Sequence, residues 1–374
     1  MPIPVFFHNN LTTPETSSVY VWGRSLSWIG LVNWIPLFFS FIAFQAYTKD
    51  ENDRQIIGKF LIAGTFPVLI SGFSQLIFKS YGPFVFLNGF IVWFQREIDP
   101  MEGISAVFNN QNYAGTWFCI VWPFCLSAFL YAKNNIHKYI SFSFLITVTV
   151  SLILTSSRSA WLSLLLLIPF MTEASILVWF LPLILIGAIL IVIANANFIP
   201  VDFQNQFRNL LPKYMWLKFA TQNYTTGLSR IEIWQQALIF ISQKPFLGWG
   251  ASTFPILYYS IKNVTVLHSH NIIFELAISY GLPITMLIFG AIFTITTLSF
   301  VKIFSIKNLR KRILNEKAWF TSFFILLLSQ LVDIQYYDGR ISILFWILLA
   351  GLKQIITINK SNHFNFEEPS PIAQ

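Results

Sequence analysis

Charge is scarce in this sequence: Asp, Glu, Lys and Arg make up 11% of its 374 residues, whereas 55% are hydrophobic and 18% aromatic. This composition excludes a soluble globular domain and a disordered chain, since both carry far more charge. The mean hydropathy of +0.62 is typical of an integral membrane protein. The net charge of +8 is then partly a signal of membrane topology, and it does not argue for a nucleic-acid partner.

Cysteine is also scarce, with two residues in the whole chain. Cys119 and Cys125 lie six positions apart in one predicted membrane helix, which puts them on different faces of it. This spacing makes a disulfide between them unfavourable, and we interpret both as packing residues.

The sequence has instead repeated apolar runs of about 18 to 25 residues, the length that crosses roughly 30 Å of hydrocarbon as a helix. The runs are continuous and do not alternate, which indicates helices and not the strands of a barrel. We therefore predict an all-α integral membrane protein, a polytopic helical bundle of about 9 transmembrane helices with a range of 9–12. The predicted spans are residues 25–47, 57–78, 114–132, 138–155, 159–171, 174–198, 271–301, 318–334 and 341–358.

Basic residues in the connecting loops predict the orientation, because cytoplasmic loops carry an excess of Lys and Arg. The segment 302–317 holds six of them and is expected to be cytoplasmic. This puts the amino terminus and one long loop, 199–270, outside the membrane. Residues 81–100 are apolar but interrupted by Gly, Asn and Pro, and we interpret them as a re-entrant or interfacial segment.

The resulting organisation has five parts. They are the N-terminal membrane helices with the interfacial segment (1–113), the central helices (114–198), the extracytoplasmic loop with an amphipathic helix (199–270), the C-terminal helices (271–358) and a cytoplasmic tail (359–374).

Several polar groups fall on the predicted outer side and suggest one outward-facing site. They are Asn109, Asn110, Asn112, Arg158, Arg230, His268, His270, Asp338 and Arg340. Charges inside the predicted spans are few, and two of them, Glu275 and Asp333, lie near outer ends.

Arg158 stands between two apolar runs, at a depth where an arginine usually faces a cavity or an anion. The alternative is that it reaches the headgroup layer from a helix end. In the segment SRIEIWQQALIFISQK, Ser229 and Glu232 fit a capping box, and Arg230 would lie in the first turn of an amphipathic helix. A guanidinium beside unpaired helix N–H groups predicts a phosphate site.

The pair His268 and His270 precedes an otherwise apolar run, and three interpretations compete for it. Such histidines can be ordinary cap or surface groups, a general base with a pKa near 6.5, or zinc ligands. Zinc needs further ligands, and carboxylates are few on the predicted outer side, so we predict no metal.

Three motifs together resemble the O-antigen ligase and polymerase superfamily, polytopic glycosyltransferases that use polyprenyl-diphosphate-linked glycans. The motifs are LTSSRSAWL, GLSRIEIWQQALIFISQKPFLGWG and LHSHNIIFELAISYGLPITMLIF, with FNNQNYAG upstream. The resemblance covers roughly residues 100–300 and rests on the order of the motifs.

The resemblance implies roles for individual residues. Arg158 and Arg230 would bind the donor diphosphate and stabilise its leaving charge, and His270 would act as base on the acceptor hydroxyl or orient it. The implied substrate-binding residues are His268, Asn271, Asn112 and Ser229. Attack on the anomeric carbon would invert it, with no metal and no cofactor.

The implied location is the inner membrane of a bacterium, with the active site on the periplasmic side and a role in lipopolysaccharide or other polysaccharide assembly. The implied partners are the lipid bilayer, a polyprenyl-diphosphate-linked oligosaccharide and a glycan or lipid A-core acceptor, and no nucleic acid. Ligase, polymerase and protein O-oligosaccharyltransferase are equally compatible with the motifs, because acceptor choice depends on loop surfaces. The alternative function is a transporter for a small anion such as bicarbonate, which predicts polar residues continuing to the cytoplasmic side.

Overall fold

The structure is a computed structural model that describes residues 30–93, 95–98, 103–172, 185–187, 189–190, 193–194, 199–210, 230–305 and 311–357. Its helices and strands are, in chain order, α1 (Ile35–Tyr47), α2 (Glu51–Ile77), β1 (Phe84–Phe86), β2 (Ile91–Trp93), α3 (Gln111–Tyr131), α4 (Asn135–Leu154), α5 (Arg158–Met171), α6 (Val201–Leu210), α7 (Arg230–Gln243), α8 (Phe254–Lys262), α9 (Ile272–Phe304), α10 (Lys311–Ser329) and α11 (Gly339–Thr357).

Six of the described helices are long and apolar enough to cross a membrane: α1 with the turn before it, α2, α3, α4, α9 and α11. Large apolar side chains that point away from the bundle, such as Phe60, Ile140 and Phe293, are more than half exposed. Hydrocarbon stabilises such a surface, whereas water would not. The predicted all-α polytopic membrane protein is therefore confirmed.

The described helices account for eight of the nine predicted spans, and the ninth, 174–198, lies largely outside the described residues. The last but one span differs from its prediction: α10 runs over Lys311–Ser329 and not over 318–334. Hydropathy misplaced it because the charged segment before the span is also helical. Residues 330–338 instead form a turn followed by a short 3₁₀ helix (Gln335–Tyr337), and Asp333 lies in that turn.

The membrane helices pack around α3, which contacts α4, α5 and α10, while α1 packs against α11. At one end of the bundle a buried ion pair joins Arg54, near the start of α2, to Glu316 in α10. Arg54 is 1% exposed, and its guanidinium also donates to the carbonyl oxygens of Thr48 and Lys49 at 2.7 and 2.9 Å. These partners offset the cost of burying the charge. We call this the inner end, since the predicted topology faces it to the cytoplasm, and the opposite end the outer end.

The helix α9 is interrupted inside its 33 residues, a length of about 50 Å that exceeds what one crossing needs. Gly281 has φ 82° and ψ 167°, a conformation open essentially to glycine alone. The break frees the carbonyl oxygens of Ile278 and Ser279, which accept the N–H groups of Trp249 at 2.6 Å and Gly250 at 3.0 Å. The segment after the break is about 34 Å long and suffices to cross, so 272–280 forms a separate outer segment.

The predicted amphipathic helix is present as α7, and it has two apolar faces, not one. Ile231 and Leu238 are exposed, as a face turned to lipid requires. Ile233, Ala237 and Phe240 are buried against α8 and the outer segment of α9. The prediction missed the second face because its partner, α9, is distant in sequence.

The predicted re-entrant or interfacial segment contains a β-hairpin, in which Phe84 pairs with Trp93 and Phe86 with Ile91. Its apolar side chains are strongly exposed, with Leu87 at 71% and Phe90 at 87%. A two-stranded hairpin leaves both edges unpaired, which hydrocarbon does not tolerate. The hairpin is therefore compatible with the interfacial alternative and not with immersion in the bilayer.

The break at Gly281 yields a stability prediction. Gly281→Ala is expected to lower the free energy of unfolding by about 1–3 kcal/mol, because alanine strains this backbone conformation and its Cβ collides with the Phe246 carbonyl. The measurement is thermal unfolding of the detergent-solubilised protein.

The matched control is Gly290→Ala in the same helix, where an added Cβ meets nothing within 4 Å. We expect the control to melt at or above the wild-type temperature, since alanine favours helix more than glycine does. Equal melting temperatures for the two variants would contradict the assigned role of the break.

Candidate active site

A buried carboxylate lies at the centre of the polar groups at the outer end. Asp333 is 6% exposed, and its Oδ1 is 2.9 Å from Nδ1 of His270. Its Oδ2 accepts a hydrogen bond from Nδ2 of Asn112, also at 2.9 Å. Three segments thus meet at one side chain: the start of α3, the residues before α9 and the turn after α10.

Helix caps place these side chains. Asn110 caps α3 through a hydrogen bond from the backbone N–H of Asn112 at 2.8 Å. Asn271 caps α9, accepting the N–H groups of Ile273 and Phe274, while its Nδ2 donates to the Leu331 carbonyl at 3.0 Å. Asn271 therefore ties the histidine segment to the turn that holds Asp333. Both ends of its side chain are occupied by backbone partners.

The two histidines are held against each other. His270 has φ 56°, an unusual left-handed conformation for a residue other than glycine, and its backbone N–H donates to Nδ1 of His268 at 3.2 Å. This bond puts the proton of a neutral His268 on Nε2. Burial, helped by the neighbouring His270 and Arg230 and opposed by Asp333, lowers the pKa of His268 to about 4. His268 is thus neutral at physiological pH, with one donor to offer.

The surroundings of Asp333 keep it ionised. Burial alone would raise its pKa, but the hydrogen bond from His270, together with the neighbouring histidines and Arg230, outweighs burial and holds the pKa below its ordinary value. An ionised Asp333 accepts from Nδ1–H of His270 and leaves Nε2 of that ring unprotonated. The His270 side chain is 28% exposed, so a substrate can reach it. This pairing gives His270 the tautomer that a general base requires.

The predicted arginines lie at the outer end, Arg158 in the first position of α5 and Arg230 as the first described residue of α7. Arg158 begins α5 between Ser157 and Ser159, whose hydroxyls are 3.1 Å apart. Ser157 also donates to Oδ1 of Asn112 at 3.0 Å, which connects the start of α5 to the Asp333 cluster. Arg230 begins α7 and is close enough to His268 and Asp333 to act on both electrostatically.

Two other residues singled out in the sequence have different outcomes. Ser229 lies outside the described residues, so its capping role stays a prediction. Arg340 lies at the outer end, but its guanidinium binds Asp338 and the Val107 carbonyl and stacks 4.1 Å over the Phe108 ring. These contacts fix the loop before α3 to the start of α11.

Sequence reasoning did not assign a role to Asp333 or Glu275, although both are isolated acidic residues beside long apolar runs. Glu275 lies in the outer segment of α9, is 4% exposed and accepts the Ser269 N–H at 2.9 Å. The signal that would have found them is their rarity, because a carboxylate at the edge of hydrocarbon needs a partner.

Three side chains at this point have the spacing of a metal site. His268, His270 and Asp333 each offer a ligand atom, and these atoms lie within 4.8 Å of one another. The hydrogen bonds already described use Nδ1 of both rings and the Asp333 carboxylate, and a neutral His268 keeps its proton on Nε2. A metal would have to displace this arrangement. The absence of a metal stays a prediction.

The comparison with known families bears on the same part of the chain. Residues 142–289 match the family described as O-antigen ligase. The matched region contains Arg158, Arg230, His268 and His270, whereas Asn112 and Asp333 lie outside it. No curated protein matches the chain. The match confirms the resemblance that the motifs predicted.

The low pKa of His268 predicts a pH dependence of stability. Between pH 4 and 6.5 the unfolded chain protonates this histidine and the folded chain does not, so stability rises with pH across that window. His268→Asn should flatten the slope of melting temperature against pH, because asparagine keeps an acceptor for the His270 N–H and does not titrate.

The control for this measurement is His137→Asn, which replaces an exposed histidine in the first turn of α4. It is expected to keep the wild-type slope. Identical slopes in the wild type and in His268→Asn would show that His268 does not titrate differently on folding.

Proposed function

We propose that this chain, whose residues 142–289 match the O-antigen ligase family, is an inverting glycosyltransferase that transfers a glycan from polyprenyl diphosphate to an acceptor hydroxyl. The observation that carries the proposal is the His270–Asp333 pair at the outer end, with Arg158 and Arg230 at adjacent helix starts. We assign the active site to the periplasmic side of a bacterial inner membrane, in surface polysaccharide assembly.

In the proposed transfer step, His270 acts as the base and Asp333 stabilises its protonated form. Nε2 of His270 takes the proton of the acceptor hydroxyl, and the acceptor oxygen attacks the anomeric carbon of the donor. The bond from that carbon to the diphosphate oxygen breaks, and its electron pair leaves with the diphosphate. Asp333 stabilises the imidazolium that forms on His270. The product glycan has the opposite anomeric configuration, since the attack is on the face away from the leaving group.

Arg158 and Arg230 are proposed to stabilise the charge on the departing diphosphate, which a divalent cation does in many phosphate enzymes. Arg158 stands at the start of α5, where unpaired backbone N–H groups add to the positive potential, and Arg230 is the first described residue of α7. This supports a reaction without metal. His268 would donate its Nε2–H to a substrate oxygen, and Asn112, Asn271 and Ser229 would complete the site by holding the groups around it.

The surroundings of Arg230 support a lipid-linked donor over a soluble one. The exposed side of α7 that begins beside Arg230 carries large apolar side chains among polar ones, with Ile231 at 64% and Leu238 at 52% exposure. A polyprenyl tail could remain in the bilayer along this face while its diphosphate reaches the arginine. A nucleotide sugar has no group that would use such a surface.

The anion transporter is less well supported by the described residues. Several buried hydroxyls in the membrane helices return to their own helix, as Thr65 does to the Leu61 carbonyl and Thr296 to that of Ile292. They are therefore satisfied without a polar pathway. At the inner end the Arg54 charge is occupied by Glu316.

The first test is glycan transfer by the protein in lipid nanodiscs, with polyprenyl-diphosphate oligosaccharide and either lipid A-core, glycan or protein acceptors. His270→Ala should reduce the transfer rate on the order of 10²-fold or more, through loss of the base. Arg158→Ala and Arg230→Ala should reduce it similarly, through loss of stabilisation of the leaving diphosphate. The acceptor that works distinguishes ligase from polymerase and from protein oligosaccharyltransferase.

The control is Lys262→Ala, which removes an exposed basic residue from the end of α8 and should transfer at the wild-type rate. Variants that fold and transfer as fast as an active wild type would refute the assigned site. Uptake of radiolabelled bicarbonate into vesicles by a chain that transfers no glycan would favour the transporter.

Asp333→Asn tests the tautomer directly. An asparagine can donate its N–H to Nδ1 of His270, which forces the ring proton onto Nε2 and removes the base. The expected loss of transfer is on the order of 10²–10⁴-fold, with folding retained. Full activity in this variant would show that His270 does not act as base.

A chelator tests whether the transfer reaction needs a metal ion. Treatment with EDTA is expected to leave the transfer rate unchanged, because the arginines supply the positive charge. A loss of transfer that Zn²⁺ or Mg²⁺ restores would assign the cluster of His268, His270 and Asp333 to a metal instead.

A further inference from the structure

The histidine segment is fixed from two sides by two different carboxylates. Asp333 contacts the ring of His270, whereas Glu275 reaches the backbone of the same segment from one turn inside α9. Oε2 of Glu275 accepts the Ser269 N–H at 2.9 Å, and the hydroxyls of Ser269 and Tyr337 also hydrogen-bond to this side chain. Glu275 is 4% exposed, so solvent does not compete for these bonds.

The segment that Glu275 holds has a conformation that would not persist without support. The φ of His270 is 56°, in the left-handed region that non-glycine residues rarely adopt. Ser269 stands directly before it, and its hydroxyl donates to the Asn271 carbonyl at 2.9 Å. Conformations of this kind persist where surrounding bonds fix them, and they are common at active sites.

We propose that Glu275 is a positioning residue for His270: its carboxylate anchors the Ser269 amide and thereby keeps the imidazole in register with Asp333. The kinetic part of this proposal rests on the proposed glycosyl transfer. The structural part concerns only the hydrogen bond to Ser269. Glu275 itself contacts neither the reacting oxygen nor the diphosphate in this role.

A purely structural role for Glu275 makes a different prediction. An acidic side chain in the first turn of a helix often bonds back to the preceding backbone N–H groups and stabilises the helix start. In that case its loss would lower the melting temperature without changing the turnover of the molecules that remain folded. A positioning role lowers kcat in folded molecules, because a small displacement of the base slows proton transfer, while the KM for the donor is preserved.

The experiment combines hydrogen exchange with kinetics on the full chain in nanodiscs. Three variants form a graded series: Glu275→Ala removes every bond to this side chain, Glu275→Gln keeps an acceptor for the Ser269 N–H, and Tyr337→Phe removes only the Tyr337 donor. Amide exchange is followed in the peptide that covers residues 266–272, and transfer is measured against donor concentration.

In Glu275→Ala we expect exchange at the Ser269 amide to rise about tenfold or more, since the amide loses its acceptor. Its kcat should fall on the order of 10²-fold, with the KM for the donor unchanged. Glu275→Gln should restore most of both values, and Tyr337→Phe should lie close to the wild type. The pH profile of kcat in Glu275→Gln should match that of the wild type.

Two outcomes would overturn the proposal. Unchanged exchange in Glu275→Ala would show that the carboxylate does not anchor Ser269. If Glu275→Gln shows normal exchange but a kcat as low as that of Glu275→Ala, the effect comes from the charge of Glu275 and not from the position of His270. A wild type that transfers no glycan would refute the proposed function. The exchange measurement does not depend on activity, so it still decides whether Glu275 fixes the segment.

Discussion

The outer end of this protein depends on one buried carboxylate. Asp333 is surrounded by protein, and an ionised group there needs hydrogen-bond donors in place of water. The donors come from Asn112 in α3 and His270 before α9, which are far apart in the chain. Satisfying one charge therefore brings two helix starts and a turn together. The same requirement fixes the tautomer of His270, so the bond that organises the site also prepares the proposed base.

The membrane imposes a second constraint, which is that every backbone polar group needs a partner inside the protein. The break at Gly281 leaves two carbonyl groups of α9 without partners inside the helix. The loop after α7 supplies those partners through the N–H groups of Trp249 and Gly250. These two hydrogen bonds orient α7 and α8 against the outer segment of α9. Because α7 is oriented in this way, Arg230 lies near the two histidines.

Together the two constraints explain how an apolar chain supports the proposed chemistry at its surface. The diphosphate of a lipid-linked donor lies at the headgroup level by its own partition, and the helix starts at the outer end offer N–H groups and guanidinium groups there. The proposed base, His270, is held by Asp333 through its ring, and Glu275 holds the Ser269 N–H beside it. Apolar faces such as that of Ile231 and Leu238 are left for lipid.

The sequence by itself determined the membrane class, most of the helices and the side of the bundle on which Arg158, Arg230, His268 and His270 lie, because hydropathy and loop charge are local properties. The motifs also identified the family that residues 142–289 match. Local signals could not reveal Asp333 as the partner of His270, since the two are 63 positions apart. Nor could they reveal the second apolar face of α7 or the break in α9. Those features were decided by tertiary structure, in which a buried charge and freed carbonyl groups find partners that only folding brings near.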